Sequence, residues 1–192
     1  MTTILEDNLA TLHERPVELL QNLIRFDTTN PPGNEAACIS YIDDVLTDAG
    51  FETMILARDE TRPTRVTRLA GPGHAPPLLM YGHIDVVTTE KQEWTYPPFQ
   101  GTLADGYVWG RGTLDMKGAV VMMMAALMRA KAQDIAPPGD VVLAVVSDEE
   151  AGGEYGARYL VENHAEVFDG IRYAIGEAGG FSFHIGGSTL YP

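Results

Sequence analysis

An apolar run that ends in a histidine and, two residues later, an aspartate is the first place in this chain where chemistry is legible. LLMYGHIDVV, residues 78–87, puts His83 and Asp85 at the exit of a strand-like segment. The same grouping recurs. SDEEAGG follows the apolar residues 141–146 and carries Glu149 and Glu150, GEAGG follows 173–175 and carries Glu177, and GRGTLDMKGA brings Asp115 to the start of a helical pattern. In doubly wound sheets the carboxyl ends of strands form the ligand edge. Carboxylates and imidazole converging there repel one another or compete for protons unless a cation stands between them, and zinc accepts both kinds of ligand.

Taken singly, each residue has an ordinary reading. His83 can be a hydrogen-bonded histidine, Asp115 an N-cap for the helix after it, Glu149 and Glu150 a solvated turn, and Glu177 a surface residue. Their conjunction, with glycines that permit close backbone approach, points to one site. Other motifs are weaker. GRGTLDMKG lacks the spacing of a dinucleotide or phosphate loop, and neither a G-x-S-x-G elbow nor a reactive-cysteine context is present. Met122 to Met124 read as core packing on a helix, and His13, His74, His164 and His184 have no acidic partner at ligand spacing.

The elements that must position these groups follow from periodicity. Apolar residues at helical steps predict helices over 17–26, 35–49, 117–131 and 154–163, the first preceded by Pro16 and the second ended by Gly50. Strand-like runs cover 51–57, 65–69, 78–82, 140–147, 173–176 and 181–190. Strands alternating with helices, some of the strands apolar on both faces, predict an α/β protein with a largely parallel sheet covered on both sides. No internal repeat, linker or domain boundary interrupts the 192 residues, which read as one domain.

Composition narrows the partners. With 27 acidic residues against 13 basic and a net charge of −14, the field of the molecule repels polyanions, so nucleic acid and anionic membrane are poor partners and a cation is a better one. An acidic, solvated surface accounts for the same charge. The single cysteine, Cys38, rules out an internal disulfide framework, and its expected role is core filling. No stretch approaches the ~20 apolar residues of a membrane span and the N-terminus has no leader pattern, which predicts a soluble, cytoplasmic protein.

GHIDVV, WTYPPFQGTLADGYVWGRGTLDMKGAV, SDEEAGGEYGARYL and AIGEAGG resemble, in order and wording, the co-catalytic zinc hydrolases that include acetylornithine deacetylase, succinyl-diaminopimelate desuccinylase, aminoacylase and glutamate carboxypeptidase. The resemblance implies a three-layer αβα sandwich with a largely parallel mixed sheet. It implies that His83 and Glu177 hold one zinc, that Glu150 holds a second, that Asp115 bridges the two, and that Asp85 orients the His83 ring. A cis peptide after Asp115 is implied as well. Glu149 would act as general base, taking a proton from the water that bridges the zincs to give the attacking hydroxide, and the reaction would be hydrolysis of an amide in an N-acylated amino acid or a peptide. Cobalt or manganese can replace zinc in such mixed oxygen and nitrogen sites.

Members of that family are longer than this chain. They insert a lid and dimerisation domain after the segment matching TLYP and then finish the catalytic domain with a further metal-ligand histidine. The 192 residues therefore correspond to the N-terminal portion of the catalytic domain. Asp115 and Glu150 fall short of the three protein ligands usual for catalytic zinc. The expectations are that the full-length protein is a homodimer and that the isolated chain is inactive or nearly so. Other readings are a metal-binding remnant that catalyses nothing and pairs with another chain, and, among enzymes, a dipeptidase or carboxypeptidase.

Overall fold

The computed structural model describes residues 8–52, 54–177 and 183–190. A 3-10 turn over Leu9–Glu14 leads into α1 (Pro16–Ile24) and α2 (Ala36–Asp48). A two-residue strand β1 (Ile55–Leu56) and the six-residue β2 (Thr64–Leu69) follow, and then β3 (Leu78–His83), whose last residue is the site histidine. A hairpin of β4 (Thr102–Ala104) and β5 (Tyr107–Trp109) precedes α3 (Lys117–Ala132). The chain continues through β6 (Val141–Val146), α4 (Ala157–Asn163), β7 (Tyr173–Ile175) and the hairpin β8 (Phe183–Ile185) with β9 (Ser188–Leu190).

The main sheet has the order β1-β2-β6-β3-β7. Strands β6, β3 and β7 run parallel, so their carboxyl ends, and the residues that follow them, lie along one edge. Strands β2 and β1 add to β6 in antiparallel fashion. Strand β6 shows why the sheet needs cover on both faces: Leu143 and Val145 enter a core with α1, α2 and α3, while Val142, Ala144 and Val146 pack with Leu160 of α4 and Val167. Alternate side chains of a strand face opposite ways, so a strand apolar at successive positions is stable only between two layers. The result is the αβα sandwich.

Several boundaries differ from the sequence reading. The strand expected over 51–57 shrinks to Ile55–Leu56, with Phe51 buried in the core ahead of it and Thr53 outside the described residues. The helix expected from Glu154 starts at Ala157, and the residues before it form turns. Residues 181–182 of the last predicted run lie outside the described residues. Of the methionine run, Met123 and Met124 are buried and Met122 is exposed. The β4–β5 hairpin is not among the expected elements, since strands of three residues are too short for a periodic signal.

Two local features aim the site. Gly82 precedes His83, and a Cβ there would lie 2.8 Å from Val120 Cγ2, so only glycine lets α3 pack this closely on the end of β3. Lys117, fully buried at the start of α3, donates from Nζ to the carbonyls of Leu23 at 3.1 Å and Phe26 at 2.9 Å. It thereby adds a donor to the Leu23 carbonyl, which also accepts the backbone N–H of Phe26, and to the carbonyl of Phe26 just beyond α1, and so ties the two helices together.

Cys38 occupies the core as expected. Burial pushes its thiol up to about 11, with Lys117 acting in the opposite sense and Glu35 adding to the rise. Alkylation follows the thiolate, so at pH 8 native Cys38 should react with iodoacetamide at least roughly a hundredfold more slowly than in denatured chain. Mass spectrometry of labelled native and denatured samples checks this; equal rates would remove Cys38 from the core.

Candidate metal centre

His83 is inaccessible to solvent, and its two ring nitrogens face different surroundings. Nδ1 lies 3.0 Å from the backbone oxygen of Asp85 and 3.3 Å from Asp85 Oδ1, acceptors that place the hydrogen on this nitrogen. Nε2 looks outward to carboxylates: Asp115 Oδ1 at 3.1 Å, Glu177 Oε2 at 3.6 Å and Glu149 Oε2 at 3.8 Å. Burial alone would push the imidazole pKa down. The Asp85 hydrogen bond and charge, backed by Glu177, outweigh burial and push it up to about 9. A proton on Nε2 stands where a cation would otherwise balance these carboxylates.

Asp115 leads into α3 through a cis peptide to Met116, as the resemblance implies. It is not the N-cap. Met116 holds that position without a side-chain cap, and the Asp115 carboxylate turns to His83. Glu149 and Glu150 open a 3-10 turn that Ser147 and Asp148 separate from β6, and Glu177 follows β7. Burial, then the charge of Asp115, raises the pKa of Glu150. Burial also raises that of Glu177, where Asp115 and Glu149 add to the rise and His83 opposes it. Carboxylates gathered this way favour either protons or a positive ion.

The donor set fits a divalent cation. Ligand atoms of His83, Glu149 and Glu177 lie within 4.8 Å of one another, and so do those of His83, Asp115 and Glu150. Oxygen and nitrogen donors of this kind suit zinc, cobalt or manganese. All six residues expected from the sequence, with Asp85 behind the others, therefore meet at one place. Distance alone does not divide Glu149 from Glu150, since each belongs to one of the two groups. His13, His74, His164 and His184 belong to neither group, although His164, expected to have no acidic partner, has its Nδ1 3.3 Å from Glu166 Oε1.

Asp85 contacts more than His83. Its Oδ1 accepts the backbone N–H of Glu149 at 3.0 Å, and its Oδ2 accepts that of Glu150 at 3.0 Å and the side-chain amide of Asn30 at 2.8 Å. Burial works to raise its pKa, but the His83, Asn30 and Glu150 hydrogen bonds prevail and hold the carboxyl below the ordinary range. The partner Asn30 carries no mark in the sequence. Asn30 sits in DTTNPPGN, which reads as a polar break, and nothing in a single sequence marks that break as buried.

Fold and site together define an α/β protein with a carboxylate-rich, histidine-anchored metal site at the carboxyl edge of its sheet. The chain belongs to peptidase family M20/M25/M40, whose model matches residues 79–191. It is 37% identical over 148 residues to the succinyl-diaminopimelate desuccinylase of Paracoccus denitrificans (strain Pd 1222), covering 77% of this chain and 38% of that protein. It is 34% identical over 169 residues to the probable succinyl-diaminopimelate desuccinylase of Staphylococcus aureus (strain MRSA252), covering 86% of this chain and 40% of that protein. The chain thus spans less than half the length of these relatives.

Among solved structures, human carnosine dipeptidase 1 aligns with a TM-score of 0.73 at 19% identity, covering 88% of this chain and 39% of that one. Bacillus subtilis YXEP, a dinuclear metal-binding peptidase of the M20 family, aligns with a TM-score of 0.64 at 20% identity, covering 86% and 42%. These likenesses concern the fold. Among the described residues no helix is long and apolar enough to cross a membrane.

Proposed function

We propose that the protein carrying these residues is a metal-dependent hydrolase of amide bonds, acting on small N-acylated amino acids or peptides with two zinc ions in its complete site. The observation that carries this reading is the convergence of Asp115, Glu149 and Glu177 on the outward nitrogen of a buried, Asp85-backed histidine. In this reading His83, Asp115, Glu150 and Glu177 hold the metal. A bound divalent ion polarises a scissile carbonyl and lowers the pKa of water toward neutrality.

The chain's own residues do the rest. Glu149 takes the proton from the attacking water and passes it to the leaving amine, so one carboxylate serves first as base and then as acid. Asp85 keeps Nδ1 of His83 hydrogen-bonded, leaving Nε2 as the ligand atom. The products are a carboxylate and an amine. The likeness to succinyl-diaminopimelate desuccinylases supports a succinylated or otherwise acylated amino acid as this protein's substrate ahead of a dipeptide.

We take the 192 residues as the N-terminal portion of the catalytic domain of a cytoplasmic homodimer. With Asp115 and Glu150 as the protein ligands of the second ion, they are expected to hydrolyse little in isolation. Glu149→Gln in the full-length protein is the test of the base. It should keep the metal content by elemental analysis and lower turnover of succinyl-diaminopimelate, or of the best N-acyl amino acid or dipeptide found, by roughly 10²–10⁴. Unchanged turnover would remove Glu149 from the chemistry.

A further inference from the structure

Behind the carboxylates that face the metal lies a set of buried polar side chains that the mechanism above leaves unused. Asn30, Glu35, Arg62 and Asp148 are 3%, 0%, 7% and 2% exposed. Arg62 holds Glu35 in a fork, Nη2 to Oε1 at 2.8 Å and Nε to Oε2 at 3.1 Å, and its Nη1 lies 3.0 Å from Asp148 Oδ1. The Asn30 amide donates to the same Asp148 oxygen at 3.1 Å and to Asp85 Oδ2 at 2.8 Å.

Both carboxylates bridged by Asn30 grip the turn that carries Glu149 and Glu150. Asp85 accepts the backbone N–H groups of these two residues, and Asp148 Oδ2 accepts that of Tyr155 at 3.1 Å. Asp148 itself has φ 71°, a left-handed conformation that a residue with a side chain adopts at a cost and keeps only when its surroundings hold it. Ionised carboxylates are acceptors only, so without a donor between them Asp85 and Asp148 would repel and separate. Asn30 supplies that donor and Arg62 the charge.

A buried ionic network is a poor source of stability, because apolar residues of similar volume often do as well. Its position against one turn is what calls for a reason. The chain also makes room for it: a Cβ on Gly33 would lie 2.3 Å from Arg62 Cζ, so this position must stay glycine for the guanidinium to keep its place.

We propose that Asn30 and Arg62 are positioning residues, which hold Asp85 and the left-handed Asp148 at a set separation and thereby aim Glu149 and Glu150 at the space beside His83. The functional part of this inference rests on the reading of those glutamates as base and metal ligand. The mechanical part does not, and the two are separable by experiment.

Amide hydrogen exchange by NMR on the metal-free chain, for wild type, Asn30→Ala and Arg62→Lys, reads the position of the turn directly. Asn30→Ala should speed exchange at Glu149 and Glu150 by roughly 10- to 100-fold, the factor carried by a weakened charge-assisted hydrogen bond, with Val142–Val145 of β6 unchanged. Arg62→Lys keeps the charge but not the fork, and should give a smaller rise confined to Glu149, Glu150 and Tyr155. A uniform rise that includes β6, or no rise, overturns the proposal in favour of a merely structural network.

Cobalt titration of the same variants in the full-length protein, followed by visible absorbance, should show Asn30→Ala binding roughly 10- to 100-fold more weakly. Selective exchange with no cobalt uptake in wild type would support the positioning and overturn the metal reading. Selective exchange with cobalt affinities unchanged in Asn30→Ala would overturn the functional part.

Discussion

Asp115→Ala is expected to strip the protein of its metal while leaving the fold intact. The Asp115 carboxylate is 63% exposed and reaches Nε2 of His83 at 3.1 Å, so its removal opens no cavity. The neighbouring residues that fix α3, buried Met116 and Lys117 with its bonds to the carbonyls of Leu23 and Phe26, are untouched. If it bridges both ions, as the resemblance implies, Asp115 should cost more on removal than the roughly 10- to 100-fold in affinity that an outer partner carries.

The metal-free protein should respond in the opposite sense. Asp115 is among the charges that raise the pKa values of Glu150 and Glu177, so deleting it relieves like-charge repulsion. Elemental analysis after dialysis should therefore find about two ions per complete site in wild type and almost none in the variant. Thermal melts should show the metal-dependent gain lost and the metal-free midpoint equal or higher. Metal retained at the wild-type level would take Asp115 out of the site.

Asp85→Asn, although isosteric, should be the more disruptive change for the fold. The wild-type carboxylate faces Nδ1 of His83 and accepts hydrogen bonds from the N–H groups of Glu149 and Glu150 and the amide of Asn30. An asparagine has one oxygen for these donors and turns an NH2 toward the remainder. Breaking a buried, hydrogen-bonded charge in this way costs on the order of 3–5 kcal/mol. For a domain of this size that lowers the midpoint of thermal unfolding by roughly 10 °C.

Metal affinity should fall as well, because the ring of His83 and the turn with Glu149 and Glu150 lose a common anchor. Calorimetry of metal-free and metal-loaded samples separates the two effects. A midpoint within 2 °C of wild type, about what ~0.5–1 kcal/mol would produce, would mean that the Asp85 hydrogen bonds are not what holds the turn.

The two substitutions also divide the residues by how readily they are found in a sequence. His83, Asp115, Glu149, Glu150 and Glu177 lie at the ends of apolar runs or at a helix start, and Asp85 is two residues from His83. Each was within reach because strand ends in a parallel sheet must meet at one edge. Asn30 and Arg62 lie in polar segments whose neighbours in sequence do not form the site, and Asp148 is one acid in a run of three. Polar residues in a loop give the same pattern whether water or another carboxylate surrounds them.

Periodicity and the order of the motifs determined by themselves the α/β class, a sheet covered on both faces, the principal helices and the acidic residues gathered around His83. These are properties of apolar spacing along the chain, where burial of a face is written locally. Tertiary structure alone decided the antiparallel placement of β2 on β6, the short extent of β1, and the late start of α4. It also decided that Asp115 faces His83 instead of capping α3, and that Asn30 spans Asp85 and Asp148. These depend on distances between residues as far apart as 118 positions, and a carboxylate's partner is set by what the folded chain brings within about 3 Å of it.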